Sequence, residues 1–126
     1  MEIDAILRKA VELGVSDIHM KVGRPPAVRL HGDIETLEGF DVITAEEGMR
    51  MAASIMPNSL KAEFKEKKEA DFAYGIKGVA RFRVNAFIQR GMIGMVMRVI
   101  PEGVPDIEEL NLPDVIKELA ESPLVL

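Results

Sequence analysis

Three arginines, Arg81, Arg83 and Arg98, stand in or beside the alternating stretch "ARFRVNAFIQRGMIGMVMRVI" at residues 80–100. Arginine presents a planar, permanently charged fork of N–H donors, a geometry that phosphate and carboxylate oxygens fit. The alternation on both sides of Arg90–Gly91 predicts a hairpin with its turn at those two residues. Gln89 then faces Met92, and the pairing runs back to Arg83 opposite Arg98. One face becomes Phe82, Val84, Ala86 and Ile88 against Ile93, Met95, Met97 and Val99, every member apolar. A slip by one residue would set that face against Gly94 and Arg98, so the parity is well determined. The other face carries Arg81, Arg83, Asn85 and Gln89 against Met92, Gly94, Val96 and Arg98.

Like charges placed opposite each other across a sheet are unfavourable. At ~6 Å and an effective dielectric of ~20 the repulsion is roughly 2–3 kcal/mol. Something is expected to offset it. The segment "YGIKGVA" predicts a three-residue loop over Ile76–Lys77–Gly78, with the glycine in the left-handed position. That loop sets Phe72 against Phe82 and Asp71 against Arg83, so that Asp71, Arg83 and Arg98 form one row with net positive charge. Two readings of the row stand side by side: a surface salt bridge of small worth, or a site for an anion with phosphate-like oxygens.

Other residue groups carry weaker signals. Asp17 and His19 lie two apart on an expected strand, hence on one face, and His31 is within reach on the next strand. Structural hydrogen bonding is the expectation there, ahead of a subunit-interface role, because a metal site would need a third firm ligand. Arg24 in "GRPP" reads as part of a surface turn. The methionines, those of "GMIGMVM" included, read as core filling. The charge run "KAEFKEKKE" reads as the solvated face of a helix.

The elements that position these groups follow from periodicity. Residues 2–13 predict an amphipathic helix with Ile3, Ile6, Leu7, Ala10 and Leu13 at helical spacing and Gly14 as its stop. "SDIHMKV" alternates as a half-buried strand, "GRPP" breaks it, and "AVRLHG" and "DIETL" predict short strands around His31–Gly32–Asp33. Thr44 and Glu47 form a capping box ahead of a helix whose apolar positions are Ala45, Met49, Ala52, Ala53 and Met56, closed by Pro57–Asn58. A second, charged helix covers about 59–68, anchored by Leu60 and Phe64, and "EADFAYG" predicts a strand. After Ile100, Pro101, Pro105 and Pro113 punctuate a connection; Pro113 opens a short helix to about residue 120, and Pro123 opens "LVL".

Composition bounds the function. The 126 residues suit one domain with a fragment of a second. A net charge of −5, one tyrosine and no tryptophan argue against nucleic acid as a partner. No apolar run reaches the ~18 residues of a membrane span. The acidic N-terminus lacks the basic start of a secretory signal. With no cysteine there is no thiol chemistry or zinc–thiolate site.

Three blocks, "GVSDIHMKVGRPPAVRLHG", "ARFRVNAFIQRGMIGMVMRVIP" and "PDIEELNLPDVIKELAESPLVL", in that order, resemble the N-terminal half of the type IV pilus retraction (PilT, twitching motility) ATPases, relatives of the secretion ATPases. The resemblance implies an α+β, PAS-like domain at 1–100, a mostly antiparallel sheet covered by helices. It implies a linker, a short helix and the start of a motor domain at 101–126, with "LVL" as the first strand of a RecA-like domain. No G-x-x-x-x-G-K-[ST] loop occurs in the chain, so no ATP hydrolysis is expected of this chain alone. The parent protein is expected to use ATP with Mg. The implied partners are the motor domain of the same or a neighbouring subunit, a homo-hexameric ring, and a pilus platform protein of the inner membrane. The implied location is cytoplasmic, at the inner face of that membrane. Arg81, Arg83 and Arg98 match arginines that reach nucleotide phosphates in the family, and Asp71 takes an orienting role. The alternative function is a free-standing PAS-like sensor of a small ligand, or a protein-interaction module.

Overall fold

The computed structural model describes residues 2–101. The linker, helix and strand expected at 101–126 lie outside the described residues, apart from Pro101, which ends the last strand. Helix α1 (Ile3–Leu13) turns its apolar stripe, Ile3, Ile6, Leu7 and Ala10, into the core. It stops at Gly14, which takes the left-handed conformation (φ 79°) and donates its N–H to the Val11 carbonyl. Strands β1 (Asp17–Lys21), β2 (Ala27–Leu30) and β3 (Asp33–Thr36) follow, then helices α2 (Ala45–Ile55) and α3 (Asn58–Lys67), then β4 (Glu69–Ile76), β5 (Ala80–Gln89) and β6 (Met92–Pro101).

All six strands join one sheet in the order β3-β2-β1-β6-β5-β4, and every pairing is antiparallel. The class is α+β, as expected. Both two-residue hairpins, at His31–Gly32 and Arg90–Gly91, hold both turn residues at positive φ, the twist-matched form for such short loops. The β5–β6 register is the one the apolar alternation predicts, with Phe82↔Val99, Val84↔Met97, Ala86↔Met95 and Ile88↔Ile93.

The core lies on one side of the sheet. Ile18, Met20, Val28, Ala70, Phe72, Phe82, Val84, Ala86, Ile93, Met95 and Met97 alternate onto that face and meet the buried stripes of the helices. Alternating positions fall on the opposite face, which among the described residues no helix covers. The strands therefore bury period-2 residues on one side and display the others.

Two sequence expectations change here. The stripe of α2 is Gly48, Met51, Ala52 and Ile55, with Met56 just beyond, whereas Ala45 and Ala53 are exposed and Met49 is 47% exposed. Gly48 has no side chain to register in a hydrophobic pattern, yet it marks a close approach of helix to sheet: a Cβ there would sit 2.6 Å from Ile93 Cγ2. Met92 also leaves the core, at 53% exposure, because its parity puts it on the open face. The Thr44 capping box forms as expected. The Glu47 N–H donates to Thr44 Oγ1 (3.1 Å) and the Thr44 N–H to Glu47 Oε1 (3.4 Å). That backbone bond is the main reason the Glu47 carboxyl lies below its usual pKa.

Gly48→Ala should destabilise the fold by about 1–2 kcal/mol in urea unfolding, because overpacking outweighs the ~1 kcal/mol gain in helix propensity. A second test concerns α1, which is tied to β4 by the Tyr74 hydroxyl donating to Asp4 Oδ1 at 2.7 Å. Burial, then the Asp4 carboxylate, raises the Tyr74 pKa from 10 to about 12. The neutral hydroxyl stabilises the fold fully below pH 10, and this contribution is lost as pH rises through 12. Tyr74→Phe should cost about 1 kcal/mol at neutral pH and should flatten the alkaline fall in unfolding midpoint above pH 10.

Candidate functional site: an arginine row on the open face

Parity and register decide which polar residues meet on the open face. Arg83 pairs with Arg98, Arg98 with Asp17, Asp17 with Arg29, and Arg29 with Ile34. One line across the sheet therefore reads Ala73, Arg83, Arg98, Asp17, Arg29, Ile34, from β4 to β3. Three guanidinium groups share it with one carboxylate. Arg81 stands two residues from Arg83 on the same face, opposite Ile100 on one side and Gly75 on the other.

The carboxylate in the row is Asp17, not Asp71. The β4–β5 register differs from the expected one by two residues: Tyr74, not Phe72, faces Phe82, and Ala73, not Asp71, faces Arg83. The loop is Lys77–Gly78–Val79, closed by the Val79 N–H on the Ile76 carbonyl, so Ile76 stays in the strand opposite Ala80. A shift of two preserves which face each side chain takes, and hydropathy cannot distinguish the two registers. Asp71 lies opposite Asn85, which donates to it at 2.9 Å and to Glu69 at 3.2 Å.

Asp17 is the fixed point of the row. Its side chain is 16% exposed and accepts from the Ser16 hydroxyl at 2.9 Å. Arg29 Nε lies 3.8 Å from one carboxylate oxygen and Arg98 Nε 3.5 Å from the other. Arg29 is held again by donation from Nη1 to the Gly32 carbonyl at 2.9 Å. Arg98, by contrast, is 75% exposed. Its repulsion from Arg83 is thereby met in two ways. Asp17 supplies the opposite charge, and water lowers a ~6 Å like-charge interaction to below about 1 kcal/mol.

The other candidates are dispersed. His31 is exposed in the β2–β3 turn, and Arg24 is exposed in the loop after β1. His19 sits between Ala27 and Val96, and its Nε2 is buried with no hydrogen-bond partner, so the expected bonding of Asp17 and His19 holds for the aspartate alone. Among the described residues no cluster of His, Cys, Asp or Glu is arranged to hold a metal ion. Arg29 and the pairing role of Asp17 escape a sequence reading because they depend on β1 lying beside β6. In chemical terms the row is a cationic strip with one anchored acid, suited to an anion with several oxygens.

Asp17→Ala should lower stability by about 1–2 kcal/mol in low salt, because it leaves Arg29 and Arg98 without their shared counter-charge. Asp71→Ala should cost less than about 0.5 kcal/mol, as expected of an exposed acid. Urea titrations of the two variants compare them directly.

No protein-family model matches the chain. Individual proteins do. It is 36% identical to the type IV pilus ATPase PilU of Pseudomonas aeruginosa over 120 residues, covering 95% of this chain and 31% of PilU. It is 35% identical to the retraction ATPase PilT of the same organism over 123 residues, covering 98% of this chain and 36% of PilT. A crystal structure of the pilus retraction motor PilT with bound ADP superposes with a TM-score of 0.77 at 40% identity, covering 95% of this chain and 35% of that one. The chain thus spans about a third of the length of the relatives it matches. The resemblance carried by the three sequence blocks and the likeness of the folded domain agree, and this chain belongs, in the position of the N-terminal region, to the PilT family of type IV pilus retraction ATPases.

Proposed function

We propose that this chain is the ring-assembly and nucleotide-sensing domain of a pilus retraction motor. In this reading the open face of the sheet docks against a RecA-like motor domain, of the same subunit or of a neighbour in a hexamer. Arg83 and Arg98, with Arg81 beside them, reach the phosphates of the ATP held there. Guanidinium groups at that position offset the charge that builds on the transferring phosphoryl group. ATP, with Mg, supplies the phosphoryl chemistry in the parent protein; this chain supplies cations, their placement and the docking face. The parent would then couple hydrolysis to pilus disassembly at the cytoplasmic face of the inner membrane, in company with the platform protein there.

The observation that carries the reading is the direct pairing of Arg83 with Arg98 on the uncovered side of the sheet. Two guanidinium forks set opposite each other on an open face match the several oxygens of a phosphate, and this supports the reading. The free-standing sensor is less well supported. Among the described residues, an apolar cavity lined by Met20, Ile43, Met51, Ile93 and Met95 holds about 10 Å³, space for at most one water and none for a small-molecule ligand.

In the longer protein that carries this chain with its motor domain, Arg83→Ala and Arg98→Ala should each lower ATP turnover at least ~10-fold. Ring formation, followed by sedimentation, should change little. Turnover equal to that of the parent would remove the phosphate role and leave a purely structural module.

A further inference from the structure

Asp17 has a geometry that docking alone does not require. Its carboxylate is less exposed than either arginine it pairs with, braced by the Ser16 hydroxyl and by Arg29, while Arg98 projects into solvent. The contact with Arg98 is through Nε at 3.5 Å. A guanidinium offers five N–H donors, and a grip at Nε engages one edge while the remaining donors stay available to a second acceptor. Arg29 is committed elsewhere, bonded at Nη1 to the Gly32 carbonyl and drawn by Nε toward Asp17. It is a brace rather than a second reaching arm. On the far side, Arg83 is the cross-strand neighbour of Arg98.

We propose that Asp17 is the positioning residue for Arg98: it fixes the guanidinium by its inner edge so that the outer edge meets the phosphate oxygens of a nucleotide held by an adjacent motor domain. The inference rests on the phosphate reading of Arg98 given above. An arginine on a long flexible stem loses rotamer entropy when it docks. A half-buried carboxylate that restricts the stem beforehand reduces that loss at the moment of reaction. The role expected for Asp71 falls instead to an acid on a strand far away in sequence.

The test is a double-mutant cycle in the longer protein, with Asp17→Asn, Arg98→Ala and the pair. Asp17→Asn keeps the shape of the side chain and removes its charge. It should lower kcat about 5- to 20-fold and move KM for ATP by less than about 3-fold, the pattern of an interaction realised in the transition state. On the Arg98→Ala background the same substitution should change kcat by less than about 2-fold, because the group it positions is gone. Unfolding midpoints of all three variants, measured alongside, show that each is folded. An equal loss in both backgrounds would make Asp17 merely structural and overturn the proposal. So would a fall in KM with kcat unchanged, the mark of an acid that only competes with phosphate for Arg98. If Arg98→Ala leaves turnover intact, the phosphate reading and this inference fall together; if it slows turnover and Asp17→Asn does not, the positioning role alone is lost.

Discussion

A sheet packed on one side must sort its side chains by parity, and here the sorting is strict along β5 and β6. Eight apolar residues occupy the core side of that hairpin, and a slip of a single residue would drive arginine and glycine into the interior. The hydrophobic term at stake, about 1.5–3 kcal/mol for each large side chain buried, far exceeds the like-charge repulsion on the other face. Core packing therefore dictates that Arg83 and Arg98 stand opposite each other, whatever that costs electrostatically.

The rest of the open face accommodates that dictate. β1 lies beside β6 and brings Asp17 to Arg98, and β2 adds Arg29 on the other side of the acid. The charges alternate over part of the row and then fail to do so, because Arg83 and Arg98 are neighbours. The imbalance is local to one line across the sheet in a chain whose net charge is −5.

The same face shows how close packing supports display. Phe87 lies across Gly94, where a Cβ would come within 2.6 Å of its ring, so an aromatic covers the glycine on the open side. On the core side Gly48 lets α2 descend onto Ile93. The two contacts grip β6 from both faces near its start, while its far end presents Arg98.

The sequence alone determined what depends on alternation and local chemistry. The β5–β6 register, the Arg90–Gly91 turn, the Thr44 cap and the α1 stop at Gly14 all follow from side-chain parity, glycine geometry or a hydroxyl at the right spacing, whereas the turn expected over His31–Gly32–Asp33 is shorter, with Asp33 already in β3. The tertiary structure decided the rest. The two-residue offset between β4 and β5 preserves every face, so hydropathy was silent on it, and the partner of Arg83 changed from Asp71 to Ala73. Gly48 carries no hydrophobic signal, so the buried stripe of α2 emerged only from its approach to β6. The pairing of Asp17 with Arg98 joins strands distant in sequence. Such a contact exists only once sheet order is set, by the joint burial of α1, α2 and the apolar faces of β1 and β6 rather than by any local motif.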